Sequence, residues 1–223
     1  MKLIIFGATG DVGRTVVNEA LARGHSVTAV ARETAPLTDM ENIARVDADL
    51  LAAPEKAAGL IAGHHAAISA LRPPQGRESQ LVDLTRAVVD GAAASGVPVF
   101  VTGGAATLKL PDGGGHTVLT APGFLPDAVR PIAEACAAQQ ALLDTITGAR
   151  WSHLLPPAML IDGPRTGAYA WGTDTLVTNA EGVSQISYAD FAVAMVDLVE
   201  SSEATPLRAT VGWRESAAQV GGP

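Results

Sequence analysis

Residues 4–13 read "IIFGATGDVG", an apolar run that passes straight into glycines at positions 7, 10 and 13. Such a run, followed by an amphipathic stretch, reads as strand, tight turn and helix. Three positions without side chains leave the backbone open to something that must come close. In a doubly wound sheet the turn after the first strand meets a helix N-terminus, whose unpaired N–H groups and positive dipole end attract an anion. Gly7 permits the turn, Gly10 lets the backbone approach a phosphate, and Gly13 allows helix to pack on strand, the three roles in a dinucleotide fingerprint. Thr9, Asp11, Val12 and Arg14 fill out the turn and the first helical residues and are assigned to the same site. The spacing is G-x-x-G-x-x-G and not G-x-G-x-x-G, so the reading rests on the strand before it and the helix after it.

Outward from this turn, short apolar runs alternate with helical patterns, the mark of parallel strands joined by crossover helices. "KLIIF" is the first strand and "VGRTVVNEALARG" its helix, stopped at Gly24; "HSVTAVAR" is the second strand, and "NIARVDADL" contains a third. A helix in "PEKAAGLIAG", a strand in "HAAISAL", a helix over about 79–95 and a strand "VPVFVT" follow. Residues 102–126 lose periodicity, which in a compact domain points to a functional loop. The substrate side is placed there, with Ala105, His116 and Phe124 as pocket candidates. A helix over about 127–147, the strand "WSHLLP", the polar and aromatic segment "GAYAWGTDTLVTN", the helix "SYADFAVAMVDLVES" and a last strand "LRATVG" complete the pattern. The expected fold is α/β, a Rossmann-like doubly wound parallel sheet with helices on both faces. It forms one domain over residues 1–223, whose portion from about 151 to 223 lies on the substrate side.

Composition limits the partners. The chain has 223 residues, 48% of them hydrophobic, and a formal net charge of −8. That charge opposes nucleic acid and anionic membrane surfaces, so any bound anion must be met locally. The single cysteine, Cys136, leaves no internal disulfide and no Cys/His cluster for zinc, and no metal site is expected. No apolar run approaches the ~20 residues of a membrane span, and Met1 leads directly into a strand with no basic leader. A cytoplasmic, reduced, soluble protein is expected, as monomer or homo-oligomer.

The end of the second strand discriminates between nucleotides. NAD sites place an Asp or Glu there for the ribose 2′-hydroxyl, whereas NADP sites use a nearby Arg for the 2′-phosphate. Here the sequence runs Ala29-Val30-Ala31-Arg32-Glu33. Arg32 is the first charged side chain, with Arg14 as a second cation, and NADP(H) is favoured over NAD(H).

"FGATGDVG", "VDADL" and "AISAL" resemble the atypical short-chain dehydrogenase/reductases with an NAD(P)H-binding domain. The chain is most similar to a bacterial subgroup described as NADH-flavin reductases and, distantly, to biliverdin reductase B. The resemblance continues through "TGGAATL", "LLPPAMLIDGPRTGAYAWGTD" and "ISYADFAVAMVDLVE", nearly the whole chain. It implies that Asp49 and Leu50 flank the adenine, that Ala70, Leu71 and Arg72 line the cofactor, and that Thr102, Gly103, Gly104 and Ala105 lie near the nicotinamide ribose. Pro156 and Pro157 would frame the nicotinamide edge. Ala106 departs from the second Gly found in many relatives and narrows the space beside the cofactor.

Short-chain reductases of alcohols and ketones carry Tyr-x-x-x-Lys on the helix after strand five, where the tyrosine donates a proton. This chain has Tyr only at 169 and 188, neither followed by Lys four residues on. Flavins and quinones accept hydride at a conjugated ring and can take their proton from water, so the protein mainly aligns two flat rings. His116 could donate a proton, touch substrate or sit exposed in its loop; Tyr169 and Trp171 could wall the pocket or fill core. The pair His64-His65 reads as surface turn and Cys136 as helix-face packing. Three functions fit. The first is NADPH-dependent reduction of a flavin, quinone or similar planar acceptor. The second is a redox-sensing regulator similar to NmrA-like proteins, binding NADP without turnover. The third is a ketoreductase, dehydratase or epimerase using an unusual acid among Glu134, His116 and Asp127.

Overall fold

The structure, a computed structural model, describes residues 1–201 and 207–214. Five strands of the main sheet were legible in the sequence: β1 (Lys2–Phe6), β2 (Ser26–Ala31), β3 (Ile43–Asp47), β4 (Ala66–Ser69) and β5 (Val99–Thr102). β6 (Trp151–Leu155) follows them in parallel. Three short strands were not read from the sequence: β7 (Met159–Ile161), β8 (Ala170–Gly172) and β9 (Gln185–Ser187). β10 (Leu207–Gly212) is the expected last strand. The main sheet runs β3-β2-β1-β4-β5-β6-β10-β8, parallel except for the antiparallel edge strand β8, while β7 and β9 form a separate parallel pair.

Alternation along the strands sends side chains to two cores. Leu3 and Ile5 of β1, Phe100 of β5 and Leu154 of β6 pack with α1 (Asp11–Ala22) and α5 (Tyr188–Glu200). Ile4, Phe6, Val99, Val101 and Trp151 pack on the other face with α2 (Lys56–Ile61), α3 (Gln80–Ser95) and α4 (Arg130–Asp144). Helices therefore cover both faces, as expected. Residues 102–126 differ from the irregular loop expected of them. A 3-10 turn at Ala105–Thr107, a Lys109–Thr117 bridge and a small core of Leu108, Val118, Leu155 and Leu176 hold them together. The expected portion over about 151–223 ends in residues outside those described.

β1 and β4 are neighbours, and the chain leaves them in opposite directions across the sheet. Their C-terminal ends therefore open a crevice at the topological switch point, the place where such sheets bind ligands.

One ion cluster fixes the segment after β7 to the helices beneath. Glu19 of α1, only 5% exposed, accepts from Arg165 at 2.7 and 2.8 Å and from Arg23 at 2.7 Å. The Arg165 hydrogen bond, opposed by burial and aided by Arg23, holds its carboxyl down at about 2. A carboxyl depressed in the fold contributes stability above its ordinary pKa and loses it as pH falls toward the folded value. Glu19→Gln should therefore flatten the loss of stability between about pH 4.5 and 2, by on the order of 2 kcal/mol. Urea unfolding at pH 6 and at pH 3 reads this; an unchanged difference between the two pH values would remove the assignment.

Candidate nucleotide and acceptor site

The glycine turn is shaped as its sequence implies, for reasons that now have distances. Gly7 has φ +78°, and a Cβ there would lie 2.5 Å from the Ala70 carbonyl oxygen of β4's end. A Cβ on Gly13 would lie 2.0 Å from the Gly7 oxygen. Both glycines are thus demanded by the protein's own packing. Gly10 is different: its nearest neighbour for a Cβ is the Gly7 oxygen at 3.5 Å, and the position opens onto a cavity. It caps α1 with no side-chain hydrogen bond, so the helix's first N–H groups face that opening. Such a cradle, which a side chain would fill, fits a dinucleotide phosphate.

Two cavities meet over this crevice. The smaller, about 210 Å³, is bordered by Thr9, Gly10, Arg32, Asp49 and Leu50. The larger, about 540 Å³, is bordered by Val12, Thr102, Gly103, Gly104, Ala105, Pro156 and Pro157. Ala70, Leu71 and Arg72 border both. The residues assigned to the two ends of a dinucleotide therefore fall into adjoining spaces, joined at the end of β4. Asp11 is exposed in the first turn of α1 and borders neither cavity.

At the end of β2, Arg32 is exposed and has no hydrogen bond or ion pair among the described residues. The nearby acid at the end of β3, Asp47, accepts instead from the N–H and hydroxyl of Thr34 at 2.8 and 2.7 Å. Arg14, expected as a second cation, is turned away: it bonds the Pro36 carbonyl at 2.8 Å and pairs with Asp39. Asp49 uses one carboxylate oxygen to hold the N–H groups of Leu51 and Ala52, which fixes the turn beside the smaller cavity.

The second glycine pair has a packing cause that the sequence did not reveal. A Cβ on Gly103 would meet His153 Nε2 at 2.2 Å, and one on Gly104 would meet Cys136 Sγ at 2.6 Å. His153 of β6 is fully buried; burial pushes it down to about 3, and it stays neutral, its Nδ1 2.7 Å from Gln140 Oε1. Ala106, buried, borders the larger cavity as its departure from Gly leads one to expect.

The substrate-side candidates separate. Ala105 borders the larger cavity, whereas His116 is exposed and does not, and Phe124, 42% exposed, lies outside it beside Leu125, which does border it. Tyr169 packs against the α1–α5 core, meets Trp171 edge to face with centroids 5.7 Å apart, and donates its hydroxyl to Asp197. Burial and Asp197 raise its pKa well above the phenol range. It is a structural residue, outside the lining of the cavity. Glu134 and Asp127 also lie outside that lining. Among the lining residues that the sequence reading did not place there, two are chemically capable. Cys136, read as helix packing, faces the cavity from α4, its thiol pushed up to about 11 by burial. Tyr188, first residue of α5, lines it too; burial, then Asp11, raise its phenol while Arg72 opposes them. Among the described residues, no Asp, Glu, His or Lys borders this cavity, and no group of three or more His, Cys, Asp or Glu could hold a metal.

Comparison with known proteins agrees with this geometry. The sequence pattern described as NAD(P)H-binding matches residues 7–201. The uncharacterized protein YwnB of Bacillus subtilis is 32% identical over 213 residues, covering 95% of this chain and 98% of YwnB. A candidate exported protein from Burkholderia pseudomallei has a solved structure similar to this one, with 34% identity and a TM-score of 0.82, over 96% of this chain and 100% of that one. A candidate NADH-flavin reductase from Streptococcus pneumoniae is 29% identical with a TM-score of 0.82, over 96% and 99% of the two chains. No helix among the described residues is long and apolar enough to cross a membrane.

Proposed function

Since the chain belongs to the NAD(P)H-binding family, we propose that it is an NADPH-dependent oxidoreductase of the atypical short-chain dehydrogenase/reductase type. Its acceptor would be a flavin, a quinone or a similar flat conjugated molecule. The observation that carries this reading is the larger cavity: about 540 Å³, mostly apolar, and free of carboxylate, histidine and lysine among the described residues. A cavity of that size holds two ring systems face to face. When bound, the reduced nicotinamide supplies hydride. The protein's own contribution is alignment and exclusion of water by a lining that includes Gly103, Gly104, Pro156, Pro157, Val12 and Leu160. Cys136 and Tyr188 stay protonated near neutral pH, so neither adds charge to the pocket. The similarity to the pneumococcal protein supports the same acceptor class. Residues from about 151 onward would form the substrate side of a single domain, and the protein would work in the cytoplasm.

The test is turnover. Purified protein with NADPH should reduce free flavin or a quinone and leave simple ketones untouched, followed by loss of NADPH absorbance. His116→Ala, Tyr169→Phe and Tyr188→Phe should each cost well below the roughly 10²–10⁴-fold that removal of a general acid brings. Firm binding without turnover of any acceptor would favour a sensor. Ketone turnover destroyed by one of these substitutions would show acid catalysis and end the ring-alignment reading.

A further inference from the structure

Arg72 is the charged side chain among the described residues that border the larger cavity, and it borders the smaller one too, where the two spaces join. It follows β4 at the switch point, is exposed, and has no hydrogen bond or ion pair among the described residues. Its charge is felt at Cys136 on α4 and Tyr188 on α5, both in the lining of this cavity, and at Glu78 ahead of α3. Glu78 does not neutralise it by pairing; that carboxylate bonds the Gly76 N–H at 2.8 Å. Around the mouth, Val129 and Met159 are 41% and 45% exposed, and the interior beyond them is apolar. An unpaired cation at the edge of an apolar slot, on a protein of net charge −8, matches a ligand with a flat apolar body and a peripheral anion. A charge on the ring itself would sit among apolar lining residues such as Val12, Leu160 and Ile161, where burial is costly.

Resting on the planar-acceptor reading, we infer that Arg72 determines specificity by binding an anionic substituent, a phosphate or carboxylate, carried at the edge of the acceptor. Guanidinium meets either group with paired, charge-assisted hydrogen bonds. FMN and riboflavin share one ring system and differ by a phosphate, which makes them the probes. With the protein saturated in NADP⁺, quenching of flavin fluorescence should show FMN binding at least tenfold more tightly than riboflavin. With NADP⁺ affinity measured for each variant and saturation re-established, Arg72→Gln should abolish that preference by weakening FMN and not riboflavin, and Arg72→Lys should restore part of it. Equal affinity for the two flavins in the wild type, or a preference that survives in Arg72→Gln, would overturn the inference while leaving the acceptor reading in place. Binding of neither flavin would overturn both.

Discussion

Gly10→Val abolishes nucleotide binding and leaves the fold standing: that is the expected result, with affinity for NADPH and NADH falling by more than 100-fold and the circular dichroism spectrum unchanged. The three glycines of the turn are unequal, and the structure says how. At Gly13 even a methyl group would stand 2.0 Å from the Gly7 oxygen, and at Gly7 the new carbon would stand 2.5 Å from the Ala70 oxygen in a backbone conformation of positive φ. Substituting either disturbs the protein before any ligand arrives. Gly10 has φ −78° and ψ 165°, an extended geometry that a β-branched residue adopts readily. Its would-be Cβ has nothing nearer than 3.5 Å. The valine therefore projects into the open cradle at the α1 N-terminus, the space an anion would occupy. Calorimetric titration with both nucleotides measures the loss, and thermal melting confirms the fold. Undiminished binding by a folded Gly10→Val protein would remove the phosphate-turn assignment altogether.

That contrast also shows what could be read without coordinates. The turn, β1, β4, β5 and the helices between the leading strands followed from apolar runs and their periods, because a parallel strand buried on both faces is an uninterrupted apolar stretch. β7, β8 and β9 did not, since three residues carry no period, and Trp171 of β8 is 44% exposed. The glycine turn was legible because backbone geometry there is written in residue type: glycine where a side chain cannot fit. The lining of the larger cavity was legible only in part. His116 and Tyr169 were singled out as the chemically capable residues of their segments, yet a loop's path and a helix's azimuth decide which side chains reach a cavity. Cys136 and Tyr188 illustrate this. Helical spacing marks Cys136 as inward-facing, and inward on α4 is toward the cavity at that level. Tyr188 follows Ser187, whose hydroxyl accepts from the Asp190 N–H to cap α5. The Ser-x-x-Asp pattern signals a helix start, from which the direction of the next side chain does not follow.

Arg32→Ala should weaken NADPH binding by roughly 1.5–3 kcal/mol, about 10- to 150-fold, and NADH binding hardly at all. The 2′-phosphate is the difference between the two nucleotides, so a residue that reads it must discriminate when removed. The position fits: Arg32 directly follows β2, borders the smaller cavity with Asp49 and Leu50, and is unpaired among the described residues. Competing cations and acids have been drawn off. Asp39 and the Pro36 carbonyl hold Arg14, and Thr34 holds Asp47. An acid that could accept from a ribose 2′-hydroxyl is thereby committed elsewhere, which weakens NADH's claim on the same ground. The effect is electrostatic at an exposed side chain, so it should shrink as salt rises through the range where the Debye length falls from about 10 to 3 Å. Titrating both nucleotides into wild type and Arg32→Ala at low and high salt decides the matter. Equal losses for NADPH and NADH would mean that Arg32 holds a part common to both, and the preference for NADP would then have to come from a group other than the residue that ends β2.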